Sequence, residues 1–351
     1  MELRDFEYDL PEELVAQYPA ARRDESRLML MDRRSGEVRE TRFANFPRYL
    51  ETGDLLVVNE TKVIPARIFA RRASGGRVEI FLTRRIGDRR WHAMLRPARR
   101  LRDGETILVD PGQLPVTIQE RSGPGEWLVM LPGSVSEKEF METHGHVPLP
   151  PYIKRGDEHS DISRYQTVFA RFEGSVAAPT AGLHFTEEVI REITRRGVTV
   201  VPLTLHVGPG TFKPLPRQMV EENSLEAEHL SIRSECWNEI TAAVKERRRI
   251  IAVGTTTTRA LESLAAGEVD EREELVMGGE RYIGGWAGLF IYPGYRFRMV
   301  DALLTNLHLP RSSLMLLVSA FSGREKLLAA YNWAVSRRFR FYSYGDVMFI
   351  R

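Results

Sequence analysis

Hydrophobic and polar positions fall into three textures along the chain. Near the N-terminus, YDLPEELVAQYP predicts a short helix. Asp9 can cap it, Pro11 suits its first turn, and Glu12 and Glu13 complement the positive end of its dipole. In GDLLVVNETKVIPARIFA, Leu55 to Val58 and Val63 to Phe69 read as strands around the polar run Asn59-Glu60-Thr61-Lys62. The texture then changes. RVEIFLT, WHAML, ETILVD, PVTIQE and EWLVML are short β-rich runs separated by Gly, Pro and Asp turns, with no helical period between them. That spacing predicts a small barrel or sandwich, here placed at residues 71–149 and ending at HVPLPPYIKR.

Beyond residue 150, helical and strand periods alternate. Thr186 caps a helix through Glu187, Glu188, Ile190 and Ile193 to a stop at Gly197, and a strand follows at 198–207. A helix near 235–249 leads into a strand at 250–254. The threonine run then delays the next helix until RALESLAA, because β-branched residues in a row resist helix formation. A strand at 288–292 and the helix SSLMLLVSAF, stopped by Gly323, complete the pattern. The expected architecture is α/β: a sheet flanked by helices, made from residues 1–70 and 150–351, with the β segment inserted.

Composition narrows the class. The chain has 351 residues, enough for two or three domains, and 42% hydrophobic residues, which excludes wholesale disorder. Its one cysteine, Cys236, excludes a disulfide framework or a Cys-rich zinc site and suits a reducing cytoplasm. MELRDFEYDL lacks the apolar core of a secretion signal, and no apolar run approaches membrane-spanning length. The expectation is a soluble, cytoplasmic monomer with no membrane contact.

Net charge is +2, from 50 basic and 48 acidic residues, which argues at first against a nucleic-acid partner. The distribution weakens that argument. Six basic residues are lysine and 44 are arginine, the bidentate binder of phosphate, although a GC-rich genome or a hot habitat also enriches arginine. Residues 71–102 carry a local charge of +9, and residues 262–280 carry −6.

Several segments contain more polar and small residues than packing needs. Ala178-Pro179-Thr180-Ala181-Gly182-Leu183-His184 delivers a histidine just before a helix, through a small-residue loop whose amides can approach an anion. In Thr204-Leu205-His206-Val207-Gly208-Pro209-Gly210-Thr211, a strand ends in a histidine and a glycine turn, where α/β sheets favour ligands. Thr255 to Thr258 with Arg259 offers hydroxyls, amides and a guanidinium between strand and helix. His308 precedes another helix, and Tyr342-Ser343-Tyr344-Gly345-Asp346 lies near the end. Each segment also has a plain reading as a capped helix start or a turn. There is no glycine-rich dinucleotide turn, no P-loop and no HExxH run, so neither ATP chemistry nor a metal is expected. The residues alone give an α/β enzyme with a basic β insert and no substrate.

In order, YDLPEELVAQYP, GDLLVVNETKVIPARIFA, LPPYIKR, YQTVFA, VAAPTAGLHFT, LTLHVGPGTFKP, GTTTTRALES, IYPGYRF, TNLHLPRSSLMLLVSAF and YSYGD resemble the S-adenosylmethionine:tRNA ribosyltransferase-isomerase family of queuosine biosynthesis. The resemblance runs over nearly the whole chain. It implies a mixed α/β fold interrupted by an inserted β-barrel. It also implies a tRNA carrying 7-aminomethyl-7-deazaguanine at the wobble position. The ribosyl part of S-adenosylmethionine, a co-substrate, is transferred to that aminomethyl group and rearranged to epoxyqueuosine. Adenine and methionine leave, and no metal is expected.

That chemistry needs a proton acceptor of near-neutral pKa to form a sulfonium ylide, hydrogen bonds to adenine and ribose, a clamp for the methionine carboxylate, and exclusion of water. His184, His206 and His308 are the acid/base candidates, with Glu228 and Asp346 as alternative carboxylates. Thr180, Gly182, Gly208, Gly210, Thr211, Thr255, Thr256 and Arg259 are candidates for holding S-adenosylmethionine. Asn59, Thr61, Lys62 and Arg67, with Arg84, Arg85, Arg89, Arg90, Arg99 and Arg100 of the insert, are candidates for the RNA. One stretch departs from the family's His-x-Met-His-x-Glu pattern: Asn223 and Glu226 stand where histidines are usual, and only Glu228 matches. Two other readings are a catalytically silent tRNA-binding homologue and a small-molecule S-adenosylmethionine enzyme. The arginine-dense insert speaks against the second.

Overall fold

The computed structural model describes residues 1–110, 113–123 and 125–351. Its body is a mixed ten-stranded sheet. The central strands are the apolar runs Leu55–Asn59, Ile250–Val253, Ala302–Asn306 and Val347–Ile350, buried on both faces. Leu55–Asn59 pairs in parallel with Thr199–Leu205 on one side and Ile250–Val253 on the other. Val347–Ile350 pairs in parallel with Arg27–Met31, which carries the edge strand Val38–Arg42. At the opposite end lie Glu228–Arg233, Glu280–Ala287 and Val269–Met277.

Side-chain alternation along each strand splits the core into two layers. Leu55 and Val57 face the larger layer, under Ser234–Glu246, Thr255–Ala266, Ser313–Ser322 and Arg324–Ser336. Leu56 and Val58 face the smaller one, closed by Phe43, Phe46, Phe185 and the helix Glu187–Arg195. Thr186 caps that helix, its Oγ1 accepting from Val189 N at 3.3 Å.

Six antiparallel strands form the inserted barrel: Arg67–Arg72, Arg77–Gly87, Arg90–Arg96, Glu126–Met130, Leu114–Gly123 and Thr106–Val109, the last pairing back onto the first. Inward residues such as Ile68, Ile80, Ala93, Ile107, Ile118 and Val129 fill it. The chain returns to the body through Gly145–His146, which pairs with Arg67 and Ile68 at the neck.

Some sequence expectations are corrected. The first helix is only a three-residue 3-10 turn, Glu12–Leu14. The strand expected over 63–69 is split around Pro65 into Thr61–Val63 and Arg67–Arg72. All four threonines lie inside the helix Thr255–Ala266. Thr257 and Thr258 hydroxyls donate to the Val253 and Gly254 carbonyls at 2.7 and 3.1 Å, so the β-branched run satisfies the helix rather than stopping it. Residues 288–292 are irregular, and the neighbouring strand is Glu280–Ala287. That strand forms a hairpin with the acidic run Val269–Met277 through Gly278 and Gly279, whose φ values of 59° and 84° suit a tight primed turn.

Candidate active site

A cleft of about 1110 Å³ separates the barrel from the body. Arg84, Arg85, Trp91 and His92 line its barrel wall; His206, Gly208, Gly210, Glu228, His229 and Trp286 line its body wall. Beside it lies a chamber of about 30 Å³, where five polar motifs meet: Thr180, Thr211, Thr255, Thr256, His308 and Tyr342 are in its wall. Val207 lines both spaces, so the segment from His206 to Thr211 is the partition between them.

The three histidine candidates have different surroundings. His206 follows the strand Thr199–Leu205, and its Nδ1 lies 2.8 Å from Thr61 Oγ1. Its Nε2 makes no hydrogen bond among the described residues, and the ring opens onto the cleft. Burial, with His229 nearby, holds its pKa down at about 4, below the near-neutral value expected of the proton acceptor, and the imidazole is neutral. Gly174 packs against this ring: a Cβ there would lie 2.8 Å from His206 Cε1. His308 bonds Thr305 Oγ1 through Nε2 at 2.7 Å and faces the small chamber, with burial holding its pKa near 3. His184 lines neither space. Its Nδ1 meets Ser26 Oγ at 2.9 Å and its Nε2 meets Asn306 Nδ2 at 3.2 Å, so both nitrogens are engaged. Asn306 extends the network, accepting from Thr180 Oγ1 at 2.9 Å and donating to the Tyr342 carbonyl at 3.0 Å.

Glu228 and Arg259 form a buried ion pair behind the partition. Glu228 Oε1 also accepts from Gly208 N at 2.9 Å and from Thr211 Oγ1 at 3.1 Å, fixing the turn. Burial pulls the Arg259 pKa down to about 10, which leaves it a cation. Its Nε is buried with no hydrogen-bond partner. Thr255 and Thr256 present hydroxyls to the same region, at a helix N-terminus with no side-chain cap. Free amides, two hydroxyls and an unsatisfied guanidinium N–H fit a carboxylate.

Asp346, Asn59, Gly182, Lys62, Arg67 and Asn223 lie outside these spaces, whereas Glu226 lines the cleft. Asp346 lines neither; its oxygens accept from Arg27 N and Arg340 N at 2.8 Å each, which makes it a turn anchor. Asn59 is buried, bonding Leu205 O at 2.9 Å and Leu205 N at 3.1 Å. Gly182 gives room to Thr167, whose Cγ2 would be 2.8 Å from an added Cβ. Lys62 pairs with Glu173 at 2.7 Å and Arg67 with Glu79 at 3.0 Å. Asn223 closes its own loop by bonding Arg217 and Met219, and Glu226 pairs with Lys213 at 2.6 Å.

The arginine patch is partly neutralised. Arg71 pairs with Asp110, Arg72 with Glu105, Arg85 with Glu137, and Arg89 with Asp88. Arg84, Arg90, Arg99 and Arg100 make no ion pair among the described residues. Sequence reasoning passed over Trp286 and Gly174, and gave no role to His229 or Asn306. A hint of the first was the Gly284-Gly285 pair before the tryptophan. Among the described residues, no group of three or more His, Cys, Asp or Glu could hold a metal ion, and no helix is long and apolar enough to cross a membrane.

Known proteins resemble the chain throughout its length. A family model described as queuosine biosynthesis protein matches residues 3–350. The S-adenosylmethionine:tRNA ribosyltransferase-isomerase of Pelobacter propionicus is 48% identical over 352 residues, covering all of both chains. That of Halothermothrix orenii is 44% identical over 351 residues, again with full coverage. The crystal structure of S-adenosylmethionine tRNA ribosyltransferase from Thermotoga maritima is 33% identical, with a TM-score of 0.55, covering 99% of this chain and 100% of that one.

Proposed function

The chain belongs to the queuosine biosynthesis protein family, the S-adenosylmethionine:tRNA ribosyltransferase-isomerases, and we propose that the cleft between barrel and body is where it performs that reaction. The acceptor is the aminomethyl group of 7-aminomethyl-7-deazaguanine at the tRNA wobble position. One observation carries the assignment: neutral His206, with Nε2 unengaged, faces a cleft that the arginine-bearing barrel wall overhangs.

Each residue then has a part. His206 Nε2 takes a proton from the carbon beside the sulfonium, while Thr61 holds the ring by Nδ1. Thr255, Thr256 and the Arg259 Nε receive the methionine carboxylate. Glu228, fixed by Arg259, Gly208 and Thr211, holds the turn of the partition in place beside the co-substrate. His184, bonded at both nitrogens, positions Thr180 through Asn306 and does not exchange protons. The arginines without acidic partners, Arg84, Arg90, Arg99 and Arg100, are placed for RNA phosphates.

The test is adenine release from S-adenosylmethionine with tRNA bearing the aminomethyl-deazaguanine, against the same tRNA bearing guanine. Release with the first alone is expected. Tight binding of both tRNAs without adenine release would instead identify a silent tRNA-binding homologue and overturn the proposal.

A further inference from the structure

We infer that Trp286 and His229 form a stacking platform that seats the tRNA's target nucleobase beside His206. The inference rests on the reaction proposed above and adds the element that holds the base.

Strand register dictates the platform. Asp270 pairs with Trp286, and Trp286 pairs with His229, across adjacent antiparallel strands. His206 N donates to the His229 carbonyl at 2.9 Å, extending the row to a fourth strand. Directly opposed residues project from the same sheet face. All four line the cleft. The His206 and His229 rings are nearly parallel, at 18° with centroids 6.0 Å apart; Trp286 meets His229 at 5.3 Å and 75°. Two glycines hold the tryptophan's strand close to its neighbour. A Cβ at Gly285 would lie 2.4 Å from Val269 Cγ1 and 2.7 Å from the Asp270 carbonyl, so no larger residue fits.

The barrel supplies a lid. The Arg84 guanidinium lies 5.2 Å from the Trp286 ring and has no acidic partner among the described residues. A flat base can enter over Trp286 while Arg84 moves to the adjoining phosphate. Bases in an anticodon loop are already accessible for such stacking, and the platform leads toward His206, where the substituent on the base must react. Adenine has the same π chemistry. The row favours the RNA base because it lies under the barrel lip, whereas Thr255, Thr256 and Arg259 of the carboxylate cradle are absent from the cleft wall.

The test combines fluorescence and kinetics on the full chain. An anticodon stem-loop carrying the aminomethyl-deazaguanine is expected to quench tryptophan emission, and Trp286→Phe is expected to abolish most of that quench despite four remaining tryptophans. Trp286→Ala is expected to raise KM for tRNA roughly 10- to 100-fold, as loss of one base stack does, with KM for S-adenosylmethionine within about twofold. Phenylalanine should recover most of the tRNA affinity. An unchanged tRNA KM in Trp286→Ala overturns the inference. So does a Trp286-dependent quench by S-adenosylmethionine alone, which makes the row an adenine seat. If the wild type releases no adenine, the proposed reaction falls, and the stem-loop quench still reports on the platform separately.

Discussion

Glu228 and Arg259 form an ion pair sealed from solvent, with side chains 5% and 6% exposed. The pair ties the glycine turn at 208–211 to the helix Thr255–Ala266. Glu228→Gln strands a buried guanidinium, which costs about 3–5 kcal/mol in such settings. A clear drop in thermal unfolding temperature is expected. Adding Arg259→Met should restore much of the stability but not turnover, because the turn and the carboxylate cradle stay unanchored. A Glu228→Gln protein that melts with the wild type would refute this role for the pair.

Gly174 holds His206 by having no side chain. Its φ is 149°, and a Cβ there would crowd three atoms of the imidazole. Gly174→Ala should therefore slow single-turnover adenine release about as much as His206→Ala, on the order of 10²–10⁴-fold. The double variant should be little worse than either single one, since both remove the same group. Independent, additive losses would argue that Gly174 acts elsewhere.

The pH response follows from burial. His206, held near pKa 4, stays neutral through the range where an ordinary histidine titrates. The rate of chemistry should show no acid limb near pH 6.5 and should fall only as pH approaches about 4. Stability behaves differently. The unfolded chain protonates its histidines near 6.5, while His184 and His308 resist to about 3 and His206 to about 4. Their contribution is complete above pH 6.5 and shrinks on acidification, by about 1.4 kcal/mol per pH unit for each histidine. Asp346, pushed up by burial, works in the opposite direction and offsets part of the loss. Denaturant midpoints between pH 7.5 and 5 should show the decline, and His308→Gln should flatten it.

Charge reversal on the barrel should sort its arginines into two groups. Arg90, Arg99 and Arg100 have no acidic partner, so converting each to glutamate should weaken tRNA binding. It should also lower the salt slope by about 0.7–0.9 for every phosphate left without its cation. Arg71→Gln breaks a pair with Asp110 and should leave that slope unchanged. Equal slopes for the Arg90/Arg99/Arg100 triple variant and the wild type would remove the barrel from the RNA footprint.

Legibility of the fold in the sequence depended on burial. Leu55 to Val58 and Ile250 to Val253 were plain as unbroken apolar runs because both faces of the central sheet are covered. The barrel was plain because its strands alternate inward and outward residues. The acidic strand Val269–Met277 was not, since it is an exposed edge with almost no apolar side to display. At the site, small-residue motifs flagged His206, Thr255 and the Gly208–Gly210 turn. The row formed by Asp270, Trp286 and His229 was invisible, because only strand register brings those positions together. His184 matched its motif as well as His206 did; only the hydrogen bonds to Ser26 and Asn306 distinguish a fixed ring from a free one.

At the barrel's neck, Ile68 lies opposite Gly145 and Arg67 opposite His146. Gly145 is packed so tightly that a Cβ would lie 2.1 Å from the Pro65 carbonyl, so the two crossing strands are pinned together there. To the rest of the chain the whole insert therefore counts as a closed loop. The entropy of closing a loop rises only with the logarithm of its length. Lengthening, trimming or exchanging everything beyond the neck costs the ten-stranded sheet little. The surface that selects the RNA can thus diverge between lineages while the body wall of the cleft, with His206, stays fixed.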